Sequence, residues 1–382
     1  MIYLDNAATT PVRREAVEMM WPYLTGDFGN PSSHHRVGES AAAGLADARA
    51  SVAAVLGVRP GDVVFTSGGT EADNLAVKGI ALATPRGRHI VTTPIEHEAV
   101  LESVAYLARV HGFEVAMLPV GPDGQVAVAD LAAAIRPDTT LVSIQYANNE
   151  IGTVQPITEL SAVAKERGVP FHTDAVQAAG WLPLGLDTLG VEALSLAGHK
   201  VGAPKGIGAL IVRGRIPLEP VLHGGGQERT RRSGTENVAG AVAFATALRI
   251  AEAERPEASR RIAALRDRFI EAVLAGVPSA RLTGHPTDRL PGTASFVFPG
   301  TSGEAVLLEL EQRGVVCSSG SACAAGSDEP SHVLTAVGIE ATVAQTAVRF
   351  TLAGTTTEEE LQTASAAVGA AVGAVSGIGT GW

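Results

Sequence analysis

The sequence predicts an α/β fold in which a large domain on a mainly parallel sheet is joined to a smaller α+β domain. Three observations predict it. The chain has 382 residues, enough to build two cores. From about residue 48 to 215, short apolar runs alternate with longer helix-patterned segments, as in an open parallel sheet covered on both faces. Near residues 254 to 260 the pattern turns charged and helical, and beyond it strand-like and helix-like segments follow on a smaller scale.

The apolar runs of the first part are Val63-Val64-Phe65, His89-Ile90-Val91, Val115 to Leu118, Leu141 to Ile144, Pro170-Phe171-His172 and Ala193 to Leu196. They are short and bounded by polar or small residues, as strands buried on both faces are. Between them, Leu75, Ala76, Gly79, Ile80 and Ala83 share one face at helical spacing, which predicts a helix over Glu71 to Ala83. Glu254, Arg255, Glu257, Arg260 and Arg261 belong to a long bridging helix. The second part holds Ala294 to Phe298 and Val348 to Leu352 as strands, a helix around Glu304 to Arg313, and a final helix from Thr357.

Composition narrows the function. Apolar residues make up 46% and charged residues 18%, so the chain folds. A formal charge of −11 leaves no broad basic face for a phosphate backbone or an anionic lipid surface, and the expectation is no direct nucleic-acid and no membrane partner. Met1 leads straight into Ile2-Tyr3-Leu4-Asp5 without the pattern of a secretory signal, so the protein reads as cytoplasmic. Cys317 and Cys323, six residues apart, read as free thiols.

In an open parallel sheet, ligands bind beyond the carboxyl ends of the strands. Polar residues fall at those ends repeatedly. Ser67-Gly68-Gly69-Thr70 precedes a helix, where small residues let backbone N–H groups approach a phosphate. His97 follows the second run, Asn148-Asn149-Glu150 the fourth, Asp174 and Gln177 the fifth, and Gly198-His199-Lys200 the sixth. Singly these are a tight turn, an N-cap or a solvated lysine. An acid, a lysine, a histidine and a phosphate loop on one rim are what pyridoxal phosphate requires, with the lysine forming a Schiff base and the acid keeping the ring nitrogen protonated.

The runs Tyr3 to Pro11, Gly29 to Ser33, Thr66 to Glu71, Asn148 to Gly152, Gly198 to Lys200, Arg232 to Thr235 and Ser318 to Cys323 resemble those of the cysteine desulfurases, within the class V aminotransferases. The likeness runs to about residue 360, and its last motif is similar to the nitrogenase and housekeeping iron–sulfur assembly subgroup. It implies fold type I of the pyridoxal-phosphate transferases, with residues 14–256 as the cofactor-binding domain. Residues 1–13 and 257–382 would form the small domain with the Cys323 loop.

The resemblance implies roles residue by residue. Lys200 carries the cofactor, Asp174 pairs with its ring nitrogen, His97 stacks on the ring and Gln177 meets the ring oxygen. Gly69, Thr70 and His199 hold the phosphate, joined by Thr235 from the second subunit of a homodimer. Asn149 lies beside cofactor and substrate, and Arg349 grips the substrate carboxylate, a task its planar fork suits. Cys323, in the small polar stretch Ser318 to Ser327, is the nucleophile that takes sulfur from L-cysteine, and Cys317 after Val315-Val316 packs. Rival readings are a selenocysteine lyase, an aminotransferase, for which a loop thiol has no use, and a non-catalytic assembly scaffold.

Two departures stand out. Ala197 occupies a position where many relatives carry a hydroxyl, removing one phosphate donor. The longer carboxyl tail of some housekeeping members is missing after Trp382, so a sulfur-acceptor protein, of unknown identity, is expected to dock near the Cys323 loop instead.

Overall fold

The computed structural model describes residues 1–83, 86–320 and 329–376; Cys323 lies outside them. The strands are β1 (Ile2–Tyr3), β2 (Val63–Thr66), β3 (His89–Thr92), β4 (Glu114–Met117), β5 (Thr139–Ser143), β6 (Phe171–Asp174), β7 (Ala193–Ala197), β8 (Gly208–Val212), β9 (Arg281–Leu282), β10 (Thr293–Val297), β11 (Val315–Val316) and β12 (Ala347–Thr351). Seven make one sheet in the order β2-β8-β7-β6-β5-β3-β4. Every neighbouring pair is parallel except those of β8, which runs against both β2 and β7. The sheet is mainly parallel, and the six apolar runs form β2 to β7.

Alternation along these strands separates two apolar layers. Val63, Phe65, Val142, Ile144, Leu194 and Leu196 pack on one face with the helices Arg36–Leu56 and Ile157–Glu166 and the first part of Val238–Gly276. Val64, Ile90, Leu141, Ala193 and Leu210 face the other way, under the helices Gly69–Ala83 and Glu98–His111. Strands β5 to β8 are buried throughout, whereas edge strand β4 is not, as covering helices on both faces dictate.

The helix Val238–Gly276 is 39 residues long, about 58 Å at 1.5 Å per residue. Its first part packs with the sheet layer, and its later residues Ile262, Leu265, Phe269 and Val273 join a separate apolar cluster with Leu4 and residues as far as Val375. That cluster surrounds the antiparallel sheet β12-β10-β9. Its centre is aromatic: Phe269 meets Phe350 at 5.2 Å between ring centroids, and Phe296 meets Phe350 at 6.2 Å, both edge-on. The final helix Glu358–Val375 closes it, started by a capping box between Thr357 and Glu360.

Phe350 is fully buried. Phe350→Ala is expected to cost about 3–5 kcal/mol of stability. The check is urea unfolding followed by fluorescence: the midpoint should drop with the slope kept, and an unmoved midpoint contradicts this account of the cluster.

Candidate active site

Because β2 to β7 all run the same way, their carboxyl ends form one rim, and the amino-terminal segment lies along it. Strand β1 pairs with β11, Asp5 bridges to Thr351, and Thr10 donates its backbone N–H to the His199 carbonyl at 3.0 Å. Lys200, in a single 3-10 turn after β7, donates Nζ to the carbonyl oxygens of Ala7 and Ala8. Gln177 Nε2 donates to the same Ala7 carbonyl at 3.1 Å. His199 Nδ1 meets Thr9 Oγ1 at 3.1 Å, and its ring titrates near 4, held neutral by burial and by the charges of Lys200 and Lys205.

Asp174 ends β6, is buried, and accepts the Val176 N–H at 2.8 Å. Burial raises its carboxyl above the ordinary range, while the charges of His97 and Lys200 pull it back. His97 caps the helix Glu98–His111, its Nδ1 accepting from the Ala99 N–H at 3.0 Å. With Nδ1 used as an acceptor, the neutral ring carries its proton on Nε2. Lys200, Asp174, His97, Gln177 and His199 therefore share one corner of the rim.

Gly69 opens the helix Gly69–Ala83 against the end of β7. A Cβ there would sit 2.9 Å from Val176 Cγ2 and 3.3 Å from Ala197 Cβ, so only glycine lets the helix start so close to the sheet. Thr70 is exposed in the first turn of that helix. Glu71 accepts the Ser67 N–H at 2.7 Å and fixes the preceding turn.

Arg349, on β12, is 2% exposed. Its Nη1 donates to the carbonyls of Asn149, at 2.8 Å, and Gly320, and its Nη2 to Asp5 Oδ1 at 2.8 Å. Nε is buried with no partner among the described residues. Asn149 and Arg349 are thus together. Thr235 stands apart from Lys200: it lines a small cavity of about 100 Å³ with Ser67 and Glu228, whereas Lys200 and Gln177 line a cavity of about 540 Å³ with Asn6, Arg13 and Trp181. Asp174 and His97 do not line the larger cavity.

Sequence reasoning missed what lies behind Asp174. His172 and Asp174 alternate on β6, Ser143 is the partner of His172 on β5, and Ser195 the partner of Asp174 on β7. His172 Nδ1 meets Ser143 Oγ and Nε2 meets Ser195 Oγ, both at 2.9 Å, and Asp73 Oδ1 from the covering helix lies 3.8 Å from Nε2. Burial pushes His172 down to about 3 and Asp73 well above the carboxylate range, so the two face each other uncharged. Glu96, fully buried and bonded to Thr93 Oγ1 and the Gln145 N–H, is pushed up to about 8 by burial. The signal was present: polar residues at alternate positions inside otherwise apolar strands.

The residues fit pyridoxal phosphate: a lysine beside a buried acid, a helix start open to a phosphate, and a buried arginine with a spare donor. A family model described as "Aminotransferase class-V" matches residues 2–363. The chain belongs to the class-V aminotransferase family. Among class-V relatives, the chain is 48% identical over 361 residues to "Cysteine desulfurase IscS" of Methanosarcina thermophila, covering 94% of this chain and 89% of the relative. It is 47% identical over 371 residues to "IscS-like cysteine desulfurase" of Mycobacterium tuberculosis, covering 95% and 94%. A solved structure titled "NIFS-LIKE PROTEIN" superposes with a TM-score of 0.91 at 37% identity, covering 98% of this chain and all of that one.

Glu96 makes stability pH-dependent with a definite sign. The folded state keeps its proton to about pH 8, whereas the unfolded chain releases it above about 4.5, so stability is full below 4.5 and falls as pH rises to 8. Glu96→Gln keeps an acceptor and removes the ionisation. Melting temperatures measured from about pH 5 to about pH 9 should decline less in the variant than in the parent; parallel declines would show that Glu96 is not the group responsible.

Proposed function

We propose that the protein is a pyridoxal-phosphate-dependent cysteine desulfurase that converts L-cysteine to L-alanine and leaves the sulfur as a persulfide on Cys323. The observation that carries this reading is the convergence of Lys200, Asp174 and His97 on one rim, beside a buried Arg349 whose Nε has no partner among the described residues. The names of the relatives support it, and one similar solved structure, at 37% identity, is titled "SspA in complex with cysteine". Asp174, His97, Gln177 and Lys200 would hold the ring, and Gly69, Thr70, His199 and Thr235 the phosphate. Bound there, the cofactor supplies an electrophilic carbonyl for the substrate amine and a ring that withdraws electrons from Cα.

The chain's own groups do the rest. Arg349 binds the substrate carboxylate through the donors that Asn149, Gly320 and Asp5 leave over. Lys200 Nζ takes the Cα proton, and Asp174 would pair with the ring nitrogen. His97 Nε2–H is placed to move protons of the substrate thiol. The Cys323 thiolate bonds to the substrate sulfur as the Cβ–S bond breaks, and the electron pair left on carbon takes a proton. Atoms and electrons balance: L-cysteine and the Cys323 thiol become L-alanine and the Cys323 persulfide, which passes to an acceptor protein for iron–sulfur assembly or thiolation.

The same reading divides the chain into residues 14–256 and residues 1–13 with 257–382, in keeping with the separate apolar clusters. It makes the active unit a homodimer. In keeping with this, Val17, Met19, Trp21, Leu24 and Phe28, close together in sequence near the amino terminus, are all exposed, with Trp21 at 61% and Phe28 at 67%.

Two measurements test the proposal. Cys323→Ser should load pyridoxal phosphate and respond spectroscopically to L-cysteine while alanine release falls to background, and Cys317→Ser should behave as the parent does; the reverse pattern assigns the nucleophile to Cys317. Arg349→Lys should raise KM for L-cysteine about tenfold, because a hydrogen bond to a charged group is worth about 1.5–3 kcal/mol. An unchanged KM would place carboxylate binding elsewhere.

A further inference from the structure

Glu228, Arg229 and Thr230 run left-handed in succession, with φ of 47°, 58° and 67°. None is glycine, and for β-branched Thr230 this region is a genuine outlier. Such backbone persists only where its surroundings over-determine it, and it gathers at functional sites.

Here the surroundings do over-determine it. Glu228 is 4% exposed, and its carboxylate accepts both arms of the Arg49 fork at 2.7 and 2.6 Å, together with the Phe65 N–H at 3.1 Å. Arg49 and Arg229 both donate to the Val63 carbonyl. The strained residues are therefore pinned along β2, the strand whose carboxyl end leads into Ser67-Gly68-Gly69-Thr70. Four residues on, Arg232 grips Glu71 through Nε at 2.7 Å and Nη2 at 3.2 Å. Glu71 in turn accepts the Ser67 N–H. Gln227 Oε1 accepts the Gly234 N–H at 2.9 Å and closes the segment just before Thr235.

We propose that Glu228 is a positioning residue for the phosphate end of the cofactor site. Its fork with Arg49 holds residues 227–235 in the strained course that lets Arg232 brace the chain's own Ser67–Thr70 turn through Glu71 and that presents Thr235 to the phosphate site of the second subunit. This rests on the reading of Thr70 and Thr235 as phosphate contacts. The chemistry the brace serves is that of a phosphate monoester: the turn's N–H groups must already be aimed, since any disorder there is removed at the cost of affinity.

The test is titration of the full-length protein, stripped of cofactor, with pyridoxal phosphate, followed by absorbance and by fluorescence quenching. Glu228→Gln should raise the Kd for pyridoxal phosphate about tenfold, yet leave kcat at saturating cofactor within about twofold, the split expected of lost preorganisation. Thr230→Gly should raise the melting temperature without weakening the cofactor, because glycine adopts positive φ freely. In the Glu228→Gln background the same glycine should recover most of the lost affinity, which a general loss of packing would not allow. If Glu228→Gln does not fold, Arg49→Lys, which keeps the charge and removes the fork, takes its place with the same expectation.

An unchanged Kd in these variants, or no recovery from the glycine, overturns the positioning role while leaving the desulfurase reading standing. Failure of the parent protein to bind pyridoxal phosphate overturns both.

Discussion

The carbonyl of Ala7 receives hydrogen bonds from both Lys200 and Gln177, and around that shared acceptor the rim is assembled. The carbonyl sits in a turn closed by the Ala8 N–H on the Asp5 carbonyl at 3.0 Å, and the other backbone groups of the segment take partners from whatever lies alongside. Asn6 donates Nδ2 to the Thr351 carbonyl at 2.8 Å, the Ala7 N–H goes to Thr351 Oγ1 at 2.8 Å, and Thr10 bonds the His199 carbonyl through both its N–H and its hydroxyl. Ten residues thus tie β12 to the turn after β7. Through Asp5 the same segment neutralises Arg349, which would otherwise be a buried and uncompensated charge.

Charge at the site is sorted by what each acid has beside it. Asp73, Glu96 and Asp174 are all buried near one another, and like charges so placed cannot all ionise. Asp73 faces a histidine whose two nitrogens are already engaged by serine hydroxyls, and Glu96 has only neutral donors, so each keeps its proton. Asp174 alone has Lys200 and His97 acting on it. Burial raises all three carboxyls, and at Asp174 alone is that effect opposed by neighbouring basic groups.

Strands β2, β3 and β5 to β7 were legible because burial on both faces leaves an unmistakable apolar run, and half-buried β4 because its run is still apolar. Strand β8 was not: it returns antiparallel after Lys205-Gly206, and nothing in Gly208 to Val212 distinguishes that direction from the parallel one. The rim residues were legible as a set, since strand ends are where a parallel sheet keeps its polar residues. Their mutual arrangement was not. Asp5 and Arg349 are 344 positions apart, and no local pattern pairs them. The left-handed course of Glu228 to Thr230 is invisible for the opposite reason: none of the three residues favours it, and Arg49 and Phe65, distant in sequence, impose it.

The two cysteines show how far burial alone decides reactivity. Cys317 follows β11 and packs against the apolar cluster of the small sheet. Burial, aided by the charge of Asp5 and opposed by that of Arg349, pushes its thiol up to about 12. At neutral pH very little of it is then thiolate, the form that attacks sulfur. Proximity to Arg349 is therefore not enough to make a nucleophile of it. A sulfur acceptor needs an environment in which ionisation costs little, and the sequence supplies one other cysteine, Cys323, whose neighbours along the chain are serine, glycine and alanine. The burial that silences Cys317 is thus a reason why the proposed nucleophile is the other cysteine.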